Sequence, residues 1–252
     1  MLATVQSGNV KRLALLMRRD PVFNVNKDQD GFGGALLHYA WADSSHMIPL
    51  LLVHPDIDVN WKTQSENTPF MLACYRGGTS CVRLLLKDSR VKVNERNNVG
   101  RTPLWSAADW GYLDTIKWWI ASGREMDLGK PGEVDETDAI GAAKKTGKTE
   151  LVTLLERFKN DAARTRHAMR VELGWYDEAA AEMFALVVFV SDELLQIKDT
   201  TPSPAARFFS IAARLPLELQ MVLCYCVVGS GQEIISGKES EVAFKELARR
   251  LW

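Results

Sequence analysis

Thr68-Pro69-Phe70-Met71-Leu72-Ala73 is followed, 34 residues on, by Thr102-Pro103-Leu104-Trp105-Ser106-Ala107. A looser copy, Ala35-Leu36-Leu37-His38-Tyr39-Ala40, stands 33 residues before the first. Two further landmarks keep nearly the same period. Val25-Asn26, Val59-Asn60 and Val93-Asn94 recur at steps of 34. An apolar block recurs as Leu13..Leu15-Leu16, Ile48..Leu50-Leu51, Val82..Leu84-Leu85, Ile116..Trp118-Trp119 and Val152..Leu154-Leu155. Three landmarks in one register define an array of supersecondary units.

The residues say what each unit is. Thr before Pro opens a helix, because the hydroxyl caps free N–H groups and Pro fits the first turn. The small pairs Ala73-Cys74 and Ala107-Ala108 let a neighbouring helix approach closely, and Gly77 and Gly111 end the first helix. The Val/Leu/Leu block reads as the buried face of a second helix, and Val-Asn as the turn outward into a hairpin-like loop. Two short helices cannot bury an apolar face alone, so adjacent units must stack. The units fall at about 1–27 (a capping unit with a short first helix or a truncated start), 28–60, 61–94, 95–128 and, more weakly, 129–158.

These residues resemble the ankyrin repeat, whose signature is TPLHxA with a period near 33 residues. Thr68-Pro69 and Thr102-Pro103 match it directly, and His38 is the histidine at the signature position, expected to bond locally and steady the turn. The weaker last unit has Asp138-Ala139-Ile140 in place of Thr-Pro-Leu, as suits a terminal unit. The resemblance implies an all-α solenoid over 1–158 that binds proteins on a concave face and carries no catalytic chemistry. It places the variable positions at Gly31, Phe32, Gly34, Ala42 and Asp43, then Gln64, Ser65, Asn67, Tyr75 and Arg76, then Asn98, Val99, Arg101, Asp109 and Trp110. From these, Phe32, Gln64, Tyr75, Arg76, Arg101, Asp109 and Trp110 are the candidate client contacts, since aromatics and Arg dominate interface energetics. The competing reading has the aromatics packing between repeats.

Beyond Phe158 the period stops. A helical connector is expected over 159–204: a charged helix Lys159–Leu173, a break at Gly174-Trp175, a mostly buried helix Tyr176–Ile197, and a Pro-containing turn over Lys198–Pro204. In 205–252, Leu215-Pro216-Leu217-Glu218-Leu219 opens a helix with Pro at its start and Glu in its first turn. Leu219, Leu223 and Val227 follow at i, i+4 and i+8, one apolar stripe suited to docking in a groove. This stretch resembles the opening of an F-box, and Ser240–Trp252 loosely echoes its tail. Ankyrin repeats followed by such a segment are similar to the poxvirus-type ankyrin C-terminal proteins. The resemblance implies that Leu215, Pro216, Glu218, Leu219, Leu223 and Val227 dock the linker subunit of a cullin–RING ubiquitin ligase. The alternative is that the stripe packs on the helix from Tyr176, leaving a plain scaffold or inhibitor with a helical cap.

Composition narrows the classes. Of 252 residues, 46% are hydrophobic and 25% charged, as in a globular protein, and Lys+Arg 31 against Asp+Glu 32 gives a net charge of -1 with no basic footprint for nucleic acid. Cys74, Cys81, Cys224 and Cys226 form no CxxC pair and read as buried free thiols. The N-terminus lacks a signal-peptide core, and the longest apolar run, Met183–Val190, falls short of the roughly 20 residues of a membrane span. A cytoplasmic or nuclear, monomeric protein is expected, with no membrane partner. His38, His46, His54 and His167 lack the neighbours of a zinc site, so no metal and no cofactor are assigned. Gly141 to Thr149 superficially resembles a phosphate loop, but five residues separate its glycines where four are required, and Val134-Asp135-Glu136 is no buried strand. No catalytic residues are assigned.

Overall fold

The computed structural model describes residues 2–20, 24–27, 31–40, 42–129, 138–192, 194–195, 203–229, 235 and 237–251. The expected Val134 segment, most of the Lys198–Pro204 turn and Trp252 lie outside these residues, as do the side chains of Ala42 and Asp43. The chain is all-α, with no strand among the described residues, and divides into two compact units, 1–169 and 170–252.

The first unit is a solenoid of helix pairs. In chain order these are α1 (Leu2–Gln6) with α2 (Val10–Arg19), α3 (Leu36–Tyr39) with α4 (Ile48–Leu52) through a 3₁₀ segment Ala42–Met47, α5 (Pro69–Tyr75) with α6 (Thr79–Leu86), α7 (Pro103–Trp110) with α8 (Leu113–Ser122), and α9 (Ala139–Lys145) with α10 (Thr149–Asn160). Inner helices pack on inner helices (α3 on α5, α5 on α7, α7 on α9), and outer on outer (α4 on α6, α6 on α8). Caps set each start. The Thr68 and Thr102 hydroxyls accept from Met71 N (3.2 Å) and Trp105 N (3.1 Å), and the Asp138 carboxylate does the same from Gly141 N (2.7 Å). Asp138 therefore replaces the signature threonine without loss of the cap.

The three middle apolar blocks bury their first and fourth residues, and the first block buries Leu13 alone. Leu13, Ile48 with Leu51, Val82 with Leu85, and Ile116 with Trp119 are all at most 2% exposed. The third residue turns outward, since i+2 lies about 200° round a helix; Leu15 is exposed, and Leu50, Leu84 and Trp118 are half-buried. The block is thus a buried pair flanking one outward residue, rather than a wholly buried run. In the last unit the buried set is Leu151, Leu154 and Leu155.

Polar side chains lock one unit to the next. Val25, Val59 and Val93 are buried, and the Asn after each reaches forward by one unit. Asn26 Nδ2 donates to Asp56 O (2.6 Å) while its Oδ1 accepts from Asp58 N (2.9 Å). Asn60 repeats this with Arg90 O (2.9 Å) and Lys92 N (2.8 Å), and Asn94 Oδ1 accepts from Asp127 N (3.1 Å). Two arginines reach backward. Arg90 Nη2 donates to Leu52 O (2.8 Å), and Arg124 Nη1, 34 residues later, to Leu86 O (3.3 Å) and Asp88 O (2.9 Å). The carbonyls of Leu52 and Leu86 end the outer helices, where no intrahelical donor follows. Asp88 also accepts from Arg90 Nη2 (2.6 Å), and this bond holds its carboxyl below the usual range. His38 bridges units as well as steadying its own turn. Its Nδ1 accepts from Ala35 N (3.1 Å), so Nε2 carries the proton it donates to Asn67 O (3.2 Å).

The turns show which glycines are required. Gly111 closes α7 at φ 79°, and a Cβ there would meet the Lys148 side chain at 2.6 Å; at Gly77 (φ 65°) it would meet the Tyr112 ring at 2.5 Å. At the hairpin tips Gly33 (φ 82°) and Gly100 (φ 79°) share a left-handed position that Glu66 occupies at φ 58° in the unit between them.

The second unit is built on α12 (Trp175–Ser191), which follows α11 (Ala162–Glu172), the helix that spans the division between units. The expected charged helix over 159–173 breaks at Asp161, whose carboxylate caps the new helix by accepting from Arg164 N (2.9 Å). The helix expected to run to Ile197 ends at Ser191, whose hydroxyl turns back to Val187 O (2.9 Å). Around α12 lie α13 (Pro204–Ala212), α14 (Leu217–Val228) and α15 (Gly237–Leu251). The segment read as a connector is therefore the centre of this unit. Phe184, Val187, Cys224 and Tyr225 form its core, with Phe244 stacked on Phe189 at 5.8 Å. Burial, aided by the nearby Asp177 carboxylate, pushes the Tyr225 phenol up to about 12, and its O–H donates to Asp177 Oδ1 (3.2 Å). Burial likewise raises the Cys224 thiol to about 12.

Two substitutions should move stability in opposite directions. Asn60→Ala removes a donor and an acceptor between units and should cost about 1–3 kcal/mol in urea unfolding. Glu66→Gly relieves a left-handed non-glycine residue and should gain up to about 1 kcal/mol, its exposed ion pair with Lys62 (3.6 Å) offsetting little.

Candidate protein-binding surface

The inner helices present their C-terminal ends on one face of the stack. Thr68-Pro69 and Thr102-Pro103 start α5 and α7 in equivalent register, so Tyr75 and Arg76 lie beside Asp109 and Trp110 of the next unit. The Tyr75 and Trp110 rings meet edge to face, centroids 5.7 Å apart at 84°. They remain 43% and 52% exposed, so this contact does not bury them in the stack. Among the described residues, the first unit exposes seven large apolar side chains: Val10, Leu15, Phe32, Val53, Tyr75, Val99 and Trp110. Four of them (Phe32, Tyr75, Val99 and Trp110) occupy positions the repeat register marks as variable. Leu, Val and aromatics scattered at random over a surface would not concentrate there, and exposed apolar clusters mark interaction sites.

The other candidates differ in availability. Gln64 is exposed but occupied: its backbone N donates to Phe32 O (3.0 Å) and its Nε2 to Gly31 O (2.8 Å), stitching neighbouring hairpins. Asn98 N repeats the stitch to Ser65 O (3.2 Å). Arg101 is half-buried with its guanidinium carbon 4.4 Å from the centroid of the Trp105 ring, where the cation faces the π-cloud. Asp109 is half-buried and Arg76 exposed. The structure therefore brings Tyr75, Arg76, Asp109 and Trp110 together, places Phe32 and Val99 at hairpin tips, and gives Gln64 and Arg101 work within the stack.

Residues 36–130 match the family model described as ankyrin repeats (3 copies). Over these residues the chain is similar to ankyrin repeats. Ankyrin repeats imply protein–protein interaction. The repeat-bearing chain is 28% identical over 118 residues to a probable E3 ubiquitin-protein ligase, XBOS31, of Oryza sativa subsp. japonica, covering 46% of this chain and 26% of that one. It is 38% identical over 91 residues to the ankyrin repeat and KH domain-containing protein mask of Drosophila melanogaster (36% and 2%), and 25% identical over 166 residues to a serine/threonine-protein kinase, TNNI3K, of Mus musculus (62% and 19%). The chain thus spans about a quarter or less of the length of these relatives.

The candidate docking residues of the second unit fall on α14. Pro216 caps it and is exposed, as is Glu218 in the first turn; Leu215 is half-buried, its carbonyl accepting from Gln220 Nε2 (2.9 Å). Leu219 and Val227 are each 51% exposed, whereas Leu223 packs partly against the core. Cys226, expected in the core, is exposed on the same side as Leu219, because the core takes the opposite side through Gln220, Cys224 and Tyr225. Sequence reasoning also missed Leu217 (53% exposed) and the half-buried Val222; the apolar character of α14 on every side was the available signal. Gly147 (φ 71°) follows the end of α9, so Gly141–Thr149 is a helix and its turn. No cluster of His, Cys, Asp and Glu able to hold a metal occurs among the described residues, and none of the described helices is long and apolar enough to cross a membrane.

Trp110→Ala and Tyr75→Ala should each change unfolding free energy by less than about 1 kcal/mol, because both rings are half exposed. Each should weaken client binding by roughly tenfold or more. Titration of the client beside a denaturation curve separates the two effects.

Proposed function

We propose that this chain is a non-enzymatic adaptor, holding a client protein on the ankyrin groove and presenting it to a cullin–RING ubiquitin ligase through α14. The observation that carries the second half is the face of α14 opposite the core. A helix apolar on all sides is normally enclosed. Here Leu219, Cys226 and Val227 stay exposed around an apolar stripe, which suits a helix that completes its burial against another chain. The likeness to a rice protein named a probable E3 ubiquitin-protein ligase points the same way. The groove's exposed aromatic pair supports the first half. Action in the cytoplasm or nucleus, without cofactor, goes with this reading.

Leu219→Asp with Val227→Asp is the suitable variant, because Leu223 also packs on the core and its loss would confound folding with docking. In a titration of the purified linker subunit of a cullin–RING ligase, wild type should bind and the double variant should lose at least about tenfold in affinity. Client binding should be unchanged. Cys226 gives a second readout: with Cys74, Cys81 and Cys224 buried, thiol labelling reports this face, and the linker subunit should slow it. No binding by wild type, or no protection of Cys226, removes the ligase role and leaves a scaffold whose last helices only cap the chain.

A further inference from the structure

The cations of α2 are arranged about one exposed leucine. Leu15 is 55% exposed. Lys11 and Arg12 stand four and three residues before it, and Arg18 and Arg19 three and four after it. On a helix those are the positions that border a single residue, so the four charges ring Leu15. All four are exposed. Among the described residues, none of the four side chains makes an ion pair or a hydrogen bond. Leu13, fully buried on the opposite side, holds the helix to the stack and turns this face outward. Helix stability accounts for only half of the ring. Arg18 and Arg19 lie in the last turn, where the macrodipole favours cations. Lys11 and Arg12 lie in the first turn, where it disfavours them and where no acid stands. Their position points to an anion outside the chain. A net charge of -1 summed over all residues hides this face.

We propose that the outward face of α2 docks on an anionic phospholipid surface, with its four cations among the headgroups and Leu15 at their acyl boundary. The overall charge balance argues against a membrane partner only on average, and α2 departs from that average. The contact is peripheral, since none of the described helices is long and apolar enough to cross a membrane. A single helix ridge offers no groove for a peptide. Val10–Arg19 carries no aromatic ring to stack on a base and no side-chain amide or hydroxyl to read one, which disfavours nucleic acid. A broad anionic surface needs neither, because each Lys or Arg near it adds about fivefold to partitioning. Binding of this kind is reversible and salt-sensitive, because exposed charges are screened over about 8–10 Å at physiological ionic strength.

Co-sedimentation of the whole chain with vesicles of phosphatidylcholine containing about 30% phosphatidylserine, at about 100 mM salt, tests this. The chain should pellet with these vesicles and stay in solution with vesicles of phosphatidylcholine alone. Lys11→Gln with Arg12→Gln should lower partitioning roughly tenfold or more, and about 500 mM salt should abolish it. Leu15→Ala should lower it roughly threefold. The Lys11 and Arg12 double variant should keep the wild-type circular dichroism and melt at or above the wild-type temperature, since it removes cations from a helix start. Lys159→Gln with Arg164→Gln, a matched pair of exposed cations on α10 and α11, should leave partitioning unchanged. No binding to the anionic vesicles, an equal loss in the matched pair, or a fall in melting temperature that gives Lys11 and Arg12 a structural role overturns the inference. So does a tighter hold, equally dependent on α2, on a single-stranded RNA oligonucleotide than on the vesicles, which makes nucleic acid the occupant.

Discussion

Each repeat leaves backbone groups that it cannot satisfy, and its neighbour supplies the partners. The outer helices end on the carbonyls of Leu52 and Leu86, and Arg90 and Arg124 of the following units donate to them. The hairpins leave N–H and C=O groups that the preceding Asn26, Asn60 and Asn94 bridge. Unpaired backbone polar groups are costly to bury, so stacking is enforced by hydrogen bonding as well as by apolar area. At the spacing these bonds keep, Tyr75 of one unit meets Trp110 of the next.

The two units use apolar surface differently. In the repeats, four of the exposed large apolar residues lie at inner-helix ends and hairpin tips. In the second unit, α12 collects the core, and α14 turns Cys224 and Tyr225 inward while Leu219 and Val227 stay outside.

Most of the solenoid was legible because its signals are local and repeated. Thr-Pro starts, glycine stops and the apolar blocks each carry a backbone reason, and each recurs. The inter-unit bonds were less legible. Arg90 and Arg124 share the period with Leu52 and Leu86, but an arginine at a helix end reads as a solvated charge until its partner is placed. Gln64 and Arg101 looked like client contacts for the same reason, and only geometry shows them engaged with Gly31 and Trp105. In the second unit no repeat guides the eye. The end of α12 depends on a single hydroxyl, Ser191, and the two sides of α14 are alike in composition, so which side would be covered was not encoded in hydrophobicity.

Gly77 and Gly111 receive, respectively, an aromatic ring and a lysine stem from the following unit. A bare Cα tolerates either guest. Excision of 78–111 would seat Lys148 on Gly77 as it now sits on Gly111, with the inner and outer helices still in phase. Such a joint permits whole modules to be lost or duplicated in a lineage without redesign of the seam, and the length of the recognition face becomes a quantity that recombination can adjust.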